Sequence, residues 1–417
     1  MSREMKYSGI PWIGEVPKSW EVVRNKNVFS NSKTLVGENW NNTQLLSLTT
    51  KGIKPIAIGS TSGKVPDSYE TYQVVEKNNL VMCLFDLDCS AVFSGLSPIF
   101  GMISPAYKAL TVKEGYYPDF YAKWFEYIFD GRKFMFLSKN IRYSLTYDEF
   151  AALQIVAPSL SEQQKIAEFL DKKCSEVDEM IALQEQIIEE LKAYKQSVIT
   201  EAVTKGLNPN VPMKDSGIEW IGEIPDHWKI CKNRYLFKEN VRQCNGTEIS
   251  LSLSQADGLV PTSEMKESAM KSSSYENWKA VKVNDIVLNR FKAHLGVLFR
   301  AKLEGMVSFH YGVYEAITKL YPQYFEYLYH SDNYKYVYSI MSNGMVVGLQ
   351  NLSNTNFYRV DFIVPPLTEQ QLIADYLDKK CGEIDALIAI KQQKIESLKE
   401  YKKSIIYEYV TGKKEVV

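Results

Sequence analysis

Three residues in the second half of this sequence have a spacing that could support metal-dependent catalysis. Asp257 is followed by Glu264 and Lys266, and a carboxylate followed by Glu-x-Lys is an arrangement that metal-dependent nucleases use. The set has no counterpart in the first half of the chain, and it lies in a segment rich in Ser, Thr and Met. An autonomous nuclease-type enzyme is therefore one hypothesis, and a polar surface loop is the other.

A second segment, GSTSGKV from Gly59, resembles a phosphate-binding loop. It has three residues rather than four between its glycines, and Val65 stands where Ser or Thr would bind magnesium. No GxGxxG motif follows a predicted strand, and neither of the methyltransferase signatures NPPY and DPPY occurs. A polar turn is the better interpretation of the segment, and we expect this chain not to bind the methyl donor of a methyltransferase.

The histidines and cysteines do not predict a catalytic triad or a metal site. None of the histidines lies in a suitable pattern of Cys or carboxylate residues: His227, His294, His310 and His330. The cysteines lack CxxC spacing, which favours buried free thiols in a reducing compartment: Cys83, Cys89, Cys174, Cys231, Cys244 and Cys381. The sequence therefore predicts no catalytic residue and no metal ligand in this chain.

Composition limits the class of protein without identifying it. A chain of 417 residues with 45% hydrophobic residues can bury the cores of two to four domains. The formal net charge is -1, so any basic surface must be made by local placement of lysines. The N-terminus has no apolar signal core, and no stretch approaches 18 uninterrupted apolar residues. We expect a cytoplasmic protein.

The sequence is a tandem repeat, and this repeat sets where its elements lie. YSGIPWIGEVPKSW at residues 7–20 returns as DSGIEWIGEIPDHW at 215–228, and we call these the tryptophan segments. Residues 160–204 return without a gap at 367–411, an offset of 207. Between these anchors the similarity is weaker, as in NNLV at Asn78 and NDIV at Asn284. The chain therefore repeats the tryptophan segment and the long segment, which together we call the frame, around two dissimilar domains.

The repeat predicts six segments along the chain. They are a tryptophan segment at 1–20, a variable domain at 21–158, a long helix at 159–206, a linker with the second tryptophan segment at 207–228, a second variable domain at 229–365 and a second long helix at 366–412. In the tryptophan segments we expect Trp12, Trp20, Trp220 and Trp228 to be buried anchors, with Pro17 and Pro225 setting the chain direction. Both segments should pack near the ends of the long helices.

The two long segments have the pattern of a coiled coil. Ser161 with Glu162, and Thr368 with Glu369, resemble helix start signals after proline. Apolar residues then recur at spacings of three and four in both copies: Ile166, Leu170, Val177, Ile181, Ile188, Leu191 and Val198, matched by Ile373, Leu377, Ile384, Ile388, Ile395, Leu398 and Ile405. Each copy is the natural partner of the other, although two unrelated exposed helices remain the alternative.

Polar residues interrupt this seam at equivalent places, and such residues fix register at a cost in stability. They are Gln184 with Lys391, and Lys195 with Lys402. The helices could run parallel, with both variable domains at one end, or antiparallel, with one domain at each end. Duplex DNA has dyads perpendicular to its axis, so an antiparallel pair could lay both domains along one duplex.

The paired tryptophan segments, together with PSLSEQQKIAEFLD and PPLTEQQLIADYLD, resemble the specificity subunits of type I restriction-modification systems. The resemblance covers essentially the whole chain. It implies an α+β fold with two mostly β target recognition domains joined by two long helices in an antiparallel coiled coil. Each domain would read one half of an asymmetric bipartite DNA site, and the helices would set the spacer between the halves.

The resemblance also implies partners and cofactors. The subunit would have no catalytic activity, would hold two methyltransferase subunits and would join motor-nuclease subunits in the full complex. S-adenosylmethionine, ATP and Mg²⁺ would serve those partners and not this chain. A coiled-coil scaffold that does not bind nucleic acid is a further alternative, but it leaves the two dissimilar domains unexplained.

Candidate DNA-binding residues follow from the chemistry of readout. Base edges need donors such as Arg, Asn and Gln, whereas phosphates need Lys, Arg, Ser and Thr. Polar segments occur at corresponding places in both variable domains, and they supply Lys51, Lys54, Lys64, Arg142, Tyr143, Gln255, Asn289, Arg290, Lys292, Gln350 and Asn351. An isolated loop lysine has an ordinary solvated surface position as its alternative.

Overall fold

The computed structural model describes residues 3–32, 34–59, 66, 68–87, 90, 92–130, 132–133, 143–255, 257–265, 277–342 and 351–416. The chain divides into two compact units. The first contains Met1–Gln184 together with Gln393–Val417, and the second contains Glu185–Gln392. The two ends of the chain therefore belong to one unit, and each long helix contributes one part to each unit.

The first unit begins with an antiparallel pair, β1 (Met5–Tyr7) and β2 (Glu15–Pro17), which is the first tryptophan segment. Its described variable domain contains, in chain order, β3 (Glu21–Arg24), α1 (Asn25–Val28), β4 (Phe29–Asn31), β5 (Leu45–Thr49), β6 (Gly52–Ile56), β7 (Gln73–Val75), β8 (Leu80–Met82), β9 (Ser94–Leu96), β10 (Gly101–Ile103), β11 (Lys108–Val112), α2 (Pro118–Asp130), α3 (Tyr147–Ala152) and β12 (Gln154–Ala157). The long helix α4 (Leu160–Lys205) follows.

The second unit repeats this plan. Its described elements are β13 (Met213–Asp215), β14 (Glu223–Pro225), β15 (Lys229–Lys232), β16 (Phe237–Glu239), β17 (Leu251–Ser254), β18 (Gly258–Pro261), β19 (Lys279–Val281), β20 (Ile286–Asn289), β21 (Leu298–Arg300), β22 (Gly305–Val307), β23 (Tyr311–Ala316), α5 (Pro322–His330), α6 (Asp332–Met341), α7 (Asn354–Arg359) and β24 (Asp361–Val364). The helix α8 (Leu367–Val410) ends the repeat.

One sheet has the same strand order in both units. It runs β4-β11-β8-β9 in the first and β16-β23-β20-β21 in the second. The other sheet differs: β6-β5-β10-β7 is continuous, whereas β17-β18 and β19-β22 are separate antiparallel pairs, with a parallel bridge between Ser250 and Met306. The duplicated domains have thus kept one sheet and altered the other.

Aromatic residues of the helix after β11 or β23 form the centre of each main core. A proline begins both helices, where its fixed φ suits the first turn and its missing N–H is not needed. Burying each large aromatic side chain stabilises a core by about 1.5–3 kcal/mol. The most deeply buried members are Phe120, Tyr121 and Trp124 of α2, and Tyr324, Phe325 and Tyr329 of α5.

The long helices run antiparallel within each unit. In the first unit the Phe169 and Tyr409 rings lie 4.5 Å apart, and Asp178 pairs with Lys402 at 2.8 Å. In the second unit Lys195 pairs with Asp385 at 2.7 Å, and Tyr376 lines the same cavity as Glu201. Residue numbers rise along α4 as they fall along α8, so the antiparallel interpretation is confirmed.

The predicted seam is buried along both helices. Every one of its fourteen apolar residues is buried or half-buried, and most of them are less than a tenth exposed. The polar interruptions Lys195 and Lys402 are half-buried and are neutralised by the ion pairs with Asp385 and Asp178. Two of the four predicted interruptions, Lys195 and Lys402, therefore have specific partners on the facing helix.

The predicted helix start signals were wrong by two residues. Helix α4 already begins at Leu160, and the Ser159 hydroxyl accepts from the Glu162 N–H at 3.3 Å, so Ser159 and not Ser161 is the capping side chain. In the second copy the Glu369 N–H donates to the Pro366 carbonyl at 2.9 Å instead. Glu162 and Glu369, which formed part of the predicted start signals, instead belong to the joint described next.

Candidate nucleic-acid interface

The joint between frame and domain uses the Glu-Gln pair in the first turn of each long helix. The indole N–H of Trp20 donates to the Glu162 carboxylate at 3.0 Å, and that of Trp228 donates to Glu369 at 2.9 Å. Both indoles are fully buried, whereas Trp12 and Trp220 are half-buried against the same cores. The prediction of buried anchors is thus confirmed for Trp20 and Trp228.

The glutamine that follows each of these glutamates connects the long helix to the central helix of the domain. Gln163 is fully buried, donates to the Pro158 carbonyl at 2.8 Å and accepts from the Tyr117 N–H at 2.8 Å. Gln370 makes the same two bonds, to Pro365 at 2.8 Å and from Tyr321 at 2.9 Å. Tyr117 and Tyr321 precede α2 and α5, so each glutamine ties the long helix to the central helix of its domain.

The C-terminal ends of the long helices pack against the same two tryptophan segments. Thr411 and Gly412 follow α8, and a Cβ on Gly412 would collide with Pro17 and Trp20. A Cβ on Gly206, just after α4, would approach the Trp228 ring at 3.1 Å. Both glycines have positive φ, 70° and 78°, so their conformation and their close approach both favour glycine. The two tryptophan segments therefore occupy equivalent places, as predicted.

Two chain segments meet at the same point of each variable domain. In the first domain the Leu145 N–H donates to the Leu84 carbonyl at 2.7 Å, and in the second the Leu352 N–H donates to the Arg290 carbonyl at 3.0 Å. We call these places the junctions: residues 83–86 with 143–145, and residues 289–292 with 351–353. Each junction joins the end of a central strand to the residues that precede a short helix.

Helix caps hold the second segment of each junction. Thr146 caps α3 in a reciprocal capping box with Glu149, and the Ser353 hydroxyl caps α7 by accepting from the Asn356 N–H at 3.2 Å. The Ser144 hydroxyl also accepts from the Asp86 N–H at 2.9 Å. The junction backbone is therefore set by hydrogen bonds at both ends, and its side chains differ between the domains.

The second junction brings Asn289, Arg290 and Asn351 together, three of the predicted DNA-binding residues. Arg290 donates from Nη2 to Glu239 at 2.7 Å, and its side chain is 23% exposed. Lys279 and Asn354 donate to the same carboxylate at 3.0 and 2.6 Å. Arg290 is thus held by an internal carboxylate.

The first junction has different residues at the two positions of this ion pair. Leu84, which is buried, occupies the position of Arg290, and Asn31 occupies the position of Glu239. Tyr143 belongs to this junction and is half-buried against the main core, with a φ of 49°. The two junctions therefore share a backbone arrangement and present different chemistry.

The other predicted residues of the described chain lie on the surface. Lys51 and Lys54 are exposed on the β5-β6 hairpin, and Gln255 is exposed on the β17-β18 turn. Lys292 is exposed beside the second junction. Lys64, Arg142 and Gln350 lie outside the described residues, and the role of every residue in this set stays a prediction.

One exposed aromatic residue in each junction was missed from the sequence. Phe85 is 39% exposed and Phe291 is 45% exposed, and they are equivalent positions 206 residues apart. Phe85 lies against Tyr107, with ring centroids 5.9 Å apart, and Phe291 lies 6.3 Å from the His310 ring. Extending the NNLV and NDIV match by a few residues would have aligned the two phenylalanines, but it would not have shown that they are exposed.

The residues of the nuclease hypothesis have ordinary local roles where the structure describes them. The Asp257 carboxylate accepts from the Ser254 hydroxyl at 3.0 Å and closes the β17-β18 turn. Glu264 ends a short 3₁₀ helix, while Lys266 lies outside the described residues, as does most of GSTSGKV. Within the described ranges no group of three or more His, Cys, Asp or Glu side chains could hold a metal ion. None of the helices in that part of the chain is long and apolar enough to cross a membrane.

Two dissimilar α+β domains, each fixed by the same joint to a pair of repeated long helices, define a duplicated recognition protein. A family model described as the type I restriction modification DNA specificity domain matches residues 17–193 and again 226–400. The chain belongs to this family, and the two matches coincide with the two copies of the repeat.

Individual relatives agree with this assignment. A protein assigned as the type I restriction enzyme MjaX specificity subunit of Methanocaldococcus jannaschii is 26% identical over 280 residues, which is 65% of this chain and 61% of that protein. This match spans less than two thirds of the relative's length.

Solved structures show the same fold. A chain from a study of complex assembly and conformational transition in a type I restriction-modification system has a TM-score of 0.70 at 14% identity, covering 95% of this chain and 99% of that one. The HsdS subunit from Thermoanaerobacter tengcongensis has a TM-score of 0.51 at 14% identity, covering 95% and 98%.

Proposed function

We propose that this chain is the DNA-recognition subunit of a type I restriction-modification enzyme and that each variable domain reads one half of an asymmetric bipartite site. The observation that carries the proposal is the pair of junctions, which have equivalent backbones and different side chains. The first presents Phe85 and Tyr143 around a buried leucine, and the second presents Phe291, Lys292 and a held arginine. Unlike surfaces on a duplicated frame select unlike half-sites.

Arg290 is the best candidate for base readout in the second domain. A guanidinium can give two parallel hydrogen bonds to guanine, and this contact costs less conformational entropy if the direction of the guanidinium is fixed before the DNA arrives. Glu239 supplies a fixed partner at 2.7 Å, and Lys279 on the same carboxylate supplies a second positive charge that offsets it. We therefore assign Glu239 a positioning role and Arg290 a base contact.

The exposed lysines would contact the DNA backbone. Lys51, Lys54 and Lys292 are exposed on turns or edge positions, and such lysines add affinity that is independent of sequence and weakens with salt. Since the chain as a whole has a net charge of -1, such placement and not overall charge would attract the duplex.

The helix pair would set the spacer between half-sites. The ion pairs Asp178–Lys402 and Lys195–Asp385 fix the register of facing helices within each unit. The joints at Trp20 and Trp228 then fix each domain to a long helix within its own unit. Because the long helices and the joints are repeated almost without change, both domains would be held towards their half-sites in the same way.

Two methyltransferase subunits would dock on the repeated frame, with motor-nuclease subunits joining the full complex. Exposed apolar residues recur at equivalent positions of α4 and α8: Met180 with Leu387, Leu183 with Ile390, and Tyr194 with Tyr401. A duplicated apolar surface suits two copies of one partner. The chain itself would be non-catalytic, and S-adenosylmethionine, ATP and Mg²⁺ would serve the partners in the cytoplasm.

Methylation-sensitive sequencing of DNA exposed to the complex with its methyltransferase tests this proposal. We expect one split, non-palindromic motif with a constant spacer. Methylation at unsplit or palindromic sites would contradict it. As a matched control, the chain without its methyltransferase should leave the same DNA unmethylated and, in the presence of Mg²⁺, uncut.

A further inference from the structure

We propose that Phe85 and Phe291 are a matched pair of base-contacting residues, each making an apolar contact with a thymine methyl group in the half-site read by its own domain. This inference rests on the proposed function. It adds a pair of specificity residues that the pattern of polar side chains does not reveal.

The first step is the equivalence of the two positions. Each phenylalanine directly follows the residue whose carbonyl accepts the junction hydrogen bond, Leu84 at 2.7 Å or Arg290 at 3.0 Å. The backbone before each ring is therefore fixed in the same way. An exposed phenylalanine kept at one place in two otherwise dissimilar domains calls for a shared role.

The second step is the exposure of rings that the fold could have buried. Leu84 is 3% exposed and Leu87 is 1% exposed, so apolar neighbours of Phe85 enter the core while the larger ring stays 39% exposed. Phe291 is 45% exposed while Ala293, two residues on, is completely buried. Exposing a large apolar side chain forgoes the stabilisation that burial provides, and the recurrence of this exposure at equivalent positions in both domains favours a use in binding.

The third step is the geometry of each ring. Tyr107 supports Phe85 at 5.9 Å and His310 supports Phe291 at 6.3 Å, from the turns before β11 and β23. An intercalating wedge must be inserted between two base pairs and partly unstack them. A ring supported on one side instead offers a fixed apolar surface, and the thymine methyl is the apolar group that a major groove presents.

The flanking residues favour DNA over a protein partner. Asp86 follows Phe85, whereas Lys292 follows Phe291 and Arg290 precedes it. Two copies of one methyltransferase would need similar surroundings at both sites, as the repeated helices offer. Half-sites of different sequence instead allow these surroundings to differ around a shared thymine contact.

The test uses the complex of the full chain with its methyltransferase, carrying Phe85→Ala or Phe291→Ala, with methylation-sensitive sequencing as the readout. Each variant should relax the preference at one thymine-containing base pair, by about tenfold, in one half-site only, and the two variants should affect opposite halves. Phe100→Ala and Tyr235→Ala are matched controls, because both side chains are exposed aromatics without an aromatic counterpart in the other domain.

A second arm replaces that thymine by uracil, which removes only the methyl group. The wild-type complex should lose about tenfold in affinity for the substituted duplex, while the alanine variant should lose nothing further. Unchanged preference, relaxation at a G·C pair, an equal loss on all sequences, or weakened methyltransferase assembly with unchanged DNA affinity would each overturn the inference. If the wild-type complex itself lacks a split motif, the proposed function fails instead.

Discussion

The two units join a long helix to a variable domain in the same way but differ at their junctions. Both fix a long helix to a domain through a buried tryptophan and a first-turn glutamate, at 3.0 and 2.9 Å, and both tie a buried glutamine to the residue before the central helix. They differ where the strand ends meet the following segment, with a leucine in one and an arginine ion pair in the other. The residues that join helix and domain are thus kept, whereas the junctions, where we propose that specificity lies, have changed.

The largest expected effect comes from breaking the shared joint. Trp20→Ala and Trp228→Ala should each lower the free energy of unfolding of their own unit by about 3–5 kcal/mol, because a completely buried indole leaves a cavity. Hydrogen exchange, resolved to peptides of each unit, measures this loss. Trp→Phe variants serve as controls that lose the indole hydrogen bond but keep most of the volume. A large loss in one unit and none in the other would break the equivalence.

Acidification should destabilise the second unit more than the first. Burial lowers the pKa of His330 from 6.5 to about 4, and the nearby Lys335 and Lys195 act in the same direction. Because the folded state disfavours the charged form, the stability present above pH 6.5 should fall as the pH drops towards 4, by about 3 kcal/mol in the second unit.

Thermal unfolding between pH 7 and pH 4 measures the slope of stability against pH, and His330→Gln is expected to remove the contribution of this imidazole. The equivalent position in the first unit is Glu126, which is 33% exposed, so the first unit has no buried imidazole at this place. An equal slope in wild type and His330→Gln would contradict the assignment.

Removing the carboxylate at the second junction should affect both stability and recognition. Glu239→Gln leaves Arg290 and Lys279 without their shared charge, and we expect a loss of about 2 kcal/mol in the second unit. Because Arg290 loses its fixed direction, methylation should become less selective in the half-site read by that domain.

Asn31→Ala is the counterpart in the first unit, where position 84 is leucine and no ion pair depends on residue 31. It should cost less than about 1 kcal/mol and leave the second half-site unchanged. Relaxation of both half-sites by Glu239→Gln would show that the domains are not independent readers.

The smallest effect should come from the helix ion pairs. Asp178–Lys402 and Lys195–Asp385 are partly exposed, with aspartates 57% exposed, so each should contribute about 0.5 kcal/mol. Double-mutant cycles with Asp→Asn and Lys→Met measure the coupling, which should be similar in the two units and should decrease in high salt. A coupling in only one unit would show that register is not fixed symmetrically.

The frame could be predicted from the sequence because its signals are local and repeated. The apolar spacing of α4 and α8 indicates long helices, and an ungapped offset of 207 indicates that they face alike surroundings. The cap was misplaced because Glu162 and Glu369 serve tryptophans 142 and 141 residues away in the chain, which a local pattern does not reveal.

The contact surface was predicted only in part. Arg290 was selected for its donor chemistry, but its partner Glu239 is 51 residues away and pairs with it only after β16 and β20 have joined the same sheet through β23. Phe85 and Phe291 were missed because a phenylalanine beside a buried strand is expected to enter the core. Exposure depends on the path of the chain after the strand, and composition does not determine that path.

Exchanging one variable domain for the other tests most directly whether the variable domains carry sequence recognition. In this variant a second copy of residues 229–365 replaces residues 21–158, while both tryptophan segments and both long helices are kept. Methylation-sensitive sequencing of DNA treated with the complex should then give a split palindrome, in which the half-site of the second domain occurs twice in inverted orientation. An unchanged asymmetric motif would contradict the account, since it would place sequence recognition outside the variable domains.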